Sequence, residues 1–291
     1  MRRERISRWI FLSIFYPEHE WPILLQQAVI PFLESNYHKY QPNYILHFGK
    51  NRGDYIGLSC EVRLDECESF VETVNAFFFE FLQRLPGQTT EPDDDCRAES
   101  IFMDFPVNSV CHSLHRFLPM IQGSLDAGYT KVWHNSSFHL THVFGRESFD
   151  KEDFFTTALY LNLLLLLSCK KSAERYLRGR AALIEAISND PEYREQFDES
   201  ELVLREVWQD CVNIVNGDVR EDLQPVTAWF NVFNDFLQPL NDKVELQTIM
   251  LEDMLITVRR QLCIVSDGKT LIDFFIDRLF QPDHQLKTIS R

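Results

Sequence analysis

The chain has 291 residues, 45% of them hydrophobic and 25% charged, enough for one large domain or two small ones with a substantial buried core. Its 44 acidic and 29 basic residues leave a formal charge of −15, which excludes an extended phosphate-binding nucleic-acid surface, because such a surface needs clustered Lys and Arg. The 7 cysteines are odd in number and hold no C-x-x-C pair, the pattern of buried thiols in a reducing, cytoplasmic setting.

In chain order, the start reads MRRERISRWIFLSIFY. Its basic head and short apolar run resemble a signal peptide, but Ser13 interrupts the run and no small-residue cleavage site follows. Arg8–Tyr16 is therefore expected to be a first strand. Glu18–Asn36 carries Trp21, Leu24, Leu25, Ala28, Val29 and Phe32 at helical spacing, and Pro31 is expected to kink or stop that helix.

The most informative stretch is Tyr44–Arg63, YILHFGKNRGDYIGLSCEVR. Two runs rich in aromatic and β-branched residues flank a polar, glycine-bearing turn at Gly49–Asp54, which predicts a hairpin. Strand side chains alternate, so Ile56, Leu58, Cys60 and Val62 should face the core. Tyr55, Gly57, Ser59, Glu61 and Arg63 should line a second face on which a site could be built. Next, Asp65–Leu85 predicts a helix with acids in its first turn and a Phe-rich core face at Phe70, Val71, Val74, Phe77, Phe78, Phe81 and Leu82.

Pro86–Ser100 is a loop by composition, and its run Asp93–Asp95 is read as solvated. Ile101–Phe105, Val110–Phe117 and Thr130–Phe144 contain short strand-like segments, and the pairing between them is not readable. His112-x-x-His115 and His139-x-x-His142 have metal-like spacing but lie in segments that look extended and lack a cysteine pair, so no metal site is predicted. Cys60 falls on the core face and reads as an inert thiol.

From Ser148 onward the pattern is helical: Asp150–Cys169, Ser172–Ser188, Glu199–Asn216, Asp222–Gln238, Asp242–Val265 and Thr270–Phe280. Asp150 is a candidate cap for the first of these. The apolar run inside it, Leu163–Leu167, is too short for a membrane span of about 20 residues and reads as a core helix. The predicted class is α+β, with a mixed or antiparallel sheet and flanking helices over 1–147 and a mainly helical half over 148–291.

Several of these segments together resemble a known family. The Trp9-led strand is followed by a helix ending Val29-Ile30-Pro31-Phe32-Leu33 and then by the hairpin. The closing run is TLIDFFIDRLF, in which Thr270, Leu271, Arg278, Leu279 and Phe280 fit a pattern written S-L-x-H-M-x-x-N-R-L-F. The chain resembles the C-terminal domain of lantibiotic dehydratases, which also occurs alone in thiopeptide-type bacteriocin biosynthesis proteins. That resemblance implies a single domain over 1–291, a ribosomally made precursor peptide as partner, and no cofactor. It also implies that the hairpin and the closing helix wall one cavity.

The family's chemistry is lyase-type. Fused members remove glutamate from glutamylated Ser or Thr by β-elimination. Stand-alone members join two dehydroalanines by cycloaddition into a pyridine ring. Elimination needs a base for the α-proton and cations for carboxylates. Here the family's hairpin letters are exchanged: Tyr55, Gly57 and Ser59 stand where H-[IL]-R-L-R is expected, and His47 replaces an arginine. Asp273 stands at the family's histidine and Asp277 at its asparagine, while Arg278 stays in register.

The candidate catalytic residues are therefore Tyr55, His47, Asp273 and Arg278, and the candidate substrate-binding residues are Arg63, Ser59 and Glu61. Three readings stand open: an enzyme with altered catalytic groups, a non-catalytic protein that binds the precursor peptide or a partner enzyme by adding a strand to a sheet edge, or a match of fold alone with an unrelated role. A separate glutamylating dehydratase and a homodimer are further expected partners, and no membrane is.

Overall fold

The computed structural model describes residues 6–40, 43–84, 104–120, 126–145, 151–264 and 266–281. The loop Pro86–Ser100 and the capping position Asp150 lie outside them. Two compact units are present: residues 1–120 with 124–151, and residues 121–123 with 152–291.

The first unit is built on a four-stranded sheet in the order β2-β3-β1-β4. The strands are β1 (Ser7–Phe15), β2 (Asn43–Gly49), β3 (Tyr55–Arg63) and β4 (Ser109–His112), and every pairing is antiparallel. The hairpin β2–β3 forms where the pattern predicts, and its turn holds Arg52 at φ 62° and Gly53 at φ 112°. The left-handed backbone at position 53 favours glycine, since any other residue would carry its Cβ there at a cost.

Register places Leu46, Leu58 and Leu12 side by side, and next to them Phe48, Ile56 and Ile14. These six are buried and form the core face. Trp21 and Phe144 close over Phe48, with ring centroids at 5.2 and 5.1 Å.

The first helical stretch runs through α1 (Trp21–Leu24), a π-helical turn (Leu25–Val29) and α2 (Ile30–Tyr40). Pro31 does not stop it. Proline lacks the N–H that would close an ordinary helical turn, and the widened turn just before it accommodates that loss. After β3, α3 (Cys67–Arg84) buries Phe70, Val74, Phe78 and Leu82 in one stripe, and Phe70 and Phe78 meet Phe32 of α2.

The segment Thr130–Phe144 is not strand-like. It belongs to α4 (Ala127–Phe144), capped by Asp126, whose carboxylate accepts from the Tyr129 N–H. Its β-branched and aromatic residues suggested strand. Burial of Tyr129, Trp133, Ser136, Ser137, Leu140 and Phe144 at spacings of three and four shows the helical period instead, because tertiary packing outweighs a weak local preference.

α4 lies along β2, an edge of the sheet. The Tyr44 N–H donates to His134 Nδ1 at 2.9 Å and the Leu46 N–H to Ser137 Oγ at 3.0 Å. Two helical side chains three residues apart thereby occupy edge amides that would otherwise recruit another strand. Strand addition is closed at this edge.

The second unit is helical: α5 (Lys151–Ser168), α6 (Lys170–Ser188), α7 (Pro191–Asn216), α8 (Gln224–Leu237), α9 (Val244–Gln261) and α10 (Ser266–Phe280). α7 starts eight residues before the expected Glu199, because Asp190 caps it and Pro191 occupies its first turn. It ends at Gly217 in the left-handed conformation, φ 85°. In α5, Leu159, Leu161, Leu163, Leu164, Leu165 and Leu166 are all buried, as the core-helix reading expects. Among the described residues no single helix is long and apolar enough to cross a membrane.

Candidate functional site

The sheet's second face is not open. Pairing aligns His47, Gly57, Ser13 and Cys111 in one row across the four strands, so their side chains share a face. Gly57 makes room for a ring: a Cβ built there would collide with the His47 imidazole. Gly49 does the same for Tyr55. Residues 104–120 then cover the row. Phe117 stacks on His47 with centroids 4.8 Å apart, and His115 stacks on Tyr55 at 4.1 Å, almost parallel. His115 Nδ1 lies 3.0 Å from Ser13 Oγ, and Ser59 Oγ donates to the Phe117 carbonyl at 2.6 Å.

The predicted residues of this unit thus divide. His47, Tyr55 and Ser59 come together beneath residues 104–120 and are buried. Glu61 lies farther along β3, where its carboxylate accepts from Ser7 and Asn43. Arg63 is exposed and pairs with Asp65 and Glu66 at 2.6 and 3.5 Å. Such exposed pairs contribute roughly 0–1 kcal/mol. The expectation of a solvent-facing site on Tyr55, Gly57 and Ser59 is corrected by this covering, which strand alternation cannot foresee.

His115 was singled out only for its spacing from His112. Both have their pKa lowered by burial, and the nearby Arg52 charge lowers that of His115 further. They point to different partners: His112 Nε2 is 2.7 Å from Asn75 Oδ1. His139 and His142 lie on a helix rather than in an extended segment. No group of three or more potential metal ligands occurs among the described residues. Cys60 is buried, and burial pushes its thiol up to about 12.

In the second unit, Asp273 of α10 is buried among cations. Its Oδ2 accepts from Arg180 Nη1 at 2.6 Å and its Oδ1 from Arg259 Nη2 at 2.7 Å. The Tyr176 hydroxyl donates to Oδ1 at 3.4 Å, and burial pushes that phenol up to about 12. Arg259 Nε donates to Asn162 Oδ1 at 2.9 Å, which explains a polar side chain buried within the leucine-rich α5. Side chains of α6 and α9 thus converge on the α10 carboxylate, and α5 joins them through the Arg259–Asn162 bond.

Arg278 does not pair with Asp273. It lies over Phe274, 5.2 Å from the ring centroid, and lines a shallow pocket with Arg194, Phe197, Asp198 and Glu201. The residues that sequence reasoning missed are Arg180, Arg259, Tyr176 and Asn162. Only the four-residue spacing of Tyr176 and Arg180 on α6 hinted that two of them share a helix face. The hairpin belongs to the first unit and the closing helix to the second, and each stands as described within its own unit.

No known family profile matches the chain, and no curated protein does. Solved structures match over nearly its full length. The thiomuracin-biosynthesis pyridine synthase TbtD superposes with a TM-score of 0.64 at 12% identity, covering 94% of this chain and 97% of that one. TsrL gives 0.62 at 10% identity, covering 96% of each. The tRNA-dependent lantibiotic dehydratase MibB from Microbispora sp. 107891 gives 0.59 at 12% identity, and there the match takes in 97% of this chain but 28% of the dehydratase. The chain has the fold of thiopeptide and lantibiotic biosynthesis proteins, matching 97% of the pyridine synthase and 28% of the dehydratase.

Proposed function

We propose that this chain is a protein of thiopeptide or lantibiotic type that binds a ribosomally made precursor peptide and does not remove glutamate from it. The fold supports the pathway. The observation that carries the second part is the Arg180–Asp273–Arg259 cluster. Elimination needs a base free to meet a substrate proton. Asp273 stands where the family resemblance puts a histidine, and its oxygens are taken up by two guanidiniums and a phenol. We read it as the counter-ion of a helix core. A separate glutamylating dehydratase would then supply the modified peptide, and the free cysteines among the described residues suit a reducing cytoplasm.

The test is incubation with a glutamylated Ser/Thr peptide, followed by intact mass and by fluorescence anisotropy. Unchanged mass with saturable binding is the expected result. Loss of the glutamyl mass overturns the binding-only reading, and absence of binding overturns the peptide reading.

A second reading has its own observation. His47, Tyr55 and His115 form one ring cluster, with His47 and Tyr55 centroids 5.8 Å apart. A peptide-tailoring enzyme could use it for proton transfer. Activity on a dehydroalanine-containing peptide that is lost in Tyr55→Phe supports this reading, and full activity in that variant removes Tyr55 from it.

A further inference from the structure

We propose that residues 104–120 are a self-occluding strap that holds the peptide-binding face of the sheet shut until a peptide displaces it. The inference rests on the peptide-binding reading above and names the surface that does the binding. Three rings of the strap fill the face in succession. Phe105 stacks on Phe15 at 5.0 Å, His115 on Tyr55 at 4.1 Å and Phe117 on His47 at 4.8 Å. Two hydroxyls that point out of the sheet bind the strap as they would bind a ligand: Ser13 meets the His115 ring and Ser59 donates to the Phe117 carbonyl. The Phe105 N–H donates to the Arg52 carbonyl, and the Arg52 guanidinium covers the Phe105 ring at 4.5 Å.

Beneath the strap is an aromatic floor studded with hydroxyls, in which Gly57 and Gly49 make room for the floor's own His47 and Tyr55 rings. That chemistry suits an extended peptide bearing aromatic or apolar side chains.

The strap's attachment is the weakest pairing in the sheet. β4 has four residues against nine in β1 and β3, it lies at an edge, and all four of its residues are only half-buried. Asn108 and Ser113, which flank it, hold left-handed φ angles of 63° and 60°. Asparagine visits that region readily, but Ser113 adopts it at an energetic cost, which releasing the strap would return. Local opening draws on elements of this kind.

Two measurements test the strap. The first is native-state hydrogen exchange. The Asn108 and Ser113 amides donate to Phe15 and Phe11 of β1. They are expected to exchange at least ~100-fold faster than the amides that join β1 to β3, as sub-global opening requires. Equal protection of both sets overturns the strap.

The second is a lock. Ser13 and Cys111 are cross-strand neighbours, a separation that a disulfide can span, so Ser13→Cys can bond to the native thiol. Bond formation is verified by non-reducing peptide mapping, and the probe is a fluorescein-labelled synthetic peptide rich in Ser, Thr and Phe. The oxidised variant is expected to bind at least ~10-fold more weakly than the same variant after reduction. Equal affinity overturns the proposal. If neither wild type nor the reduced variant binds, the peptide-binding reading fails, and the exchange ratio then decides the strap alone.

Discussion

Gly57 and His47 face each other across the β2–β3 hairpin, and the imidazole occupies the space that any side chain at position 57 would need. Packing here is decided by the absence of a single carbon atom. Gly57→Ala must push His47 off its stack with Phe117 or bend the strand. The expected cost is about 1–3 kcal/mol, the usual range for overpacking, read as a lower urea midpoint. Adding His47→Ala to Gly57→Ala should recover part of the loss, because the clash disappears. Additive effects of the two substitutions would show that the ring does not depend on the glycine.

Asp273 is the carboxylate between two guanidiniums, and its side chain is 5% exposed. Asp273→Ala leaves Arg259, itself 4% exposed, without its counter-ion, and such losses cost about 3–5 kcal/mol. Arg180→Ala should cost less, since that side chain is 26% exposed and water screens it. Guanidinium unfolding of the three proteins checks the ranking. An Asp273→Ala protein as stable as wild type would contradict the structural role.

His134 Nδ1 lies 2.9 Å from the Tyr44 backbone nitrogen and 3.1 Å from the Tyr44 carbonyl oxygen, which ties the ring to the edge of β2. Burial is the main cause that lowers its pKa from the ordinary 6.5. A lowered folded pKa means that the unfolded chain binds the proton more readily. Stability is therefore fully present above pH 6.5 and falls as the pH drops through the folded pKa. Thermal midpoints between pH 8 and pH 5 should decline, and less steeply in His134→Gln. His112, His115 and His139, also lowered by burial, contribute in the same sense, so the residual slope of the variant reports on them.

Thiol reactivity should divide the cysteines by burial. Cys60 and Cys211 are fully buried, and burial raises both thiols. Iodoacetamide at pH 8 is expected to label Cys67, Cys111 and Cys263, which are half-buried, before Cys60 or Cys211. Peptide mapping after brief exposure reads the order. Early labelling at Cys60 would mean that the core face of β3 opens.

The hairpin was legible because two short runs of β-formers flank a glycine-bearing turn, a local signal. The helical second unit was legible from its periodic apolar positions. α4 was misread because Thr130, Val132, Trp133 and Val143 are strand formers, while the evidence for helix lies in what they pack against. The edge-strand route to peptide binding failed at β2 for a related reason: His134 and Ser137 reach Tyr44 and Leu46 across 90 and 91 residues of chain.

The amino-acid order alone determined where the strands and most helices lie and which side of β3 each side chain takes, because alternation and helical pitch are properties of the local backbone. Only the tertiary structure decided that the second side of β3 is covered and that Asp273 is paired with two guanidiniums. Both depend on partners far away in sequence: Phe117 lies 58 residues from Ser59, and Arg180 lies 93 from Asp273. A backbone period says where a side chain points, and the burial and charge it meets there come from chain that arrives from elsewhere.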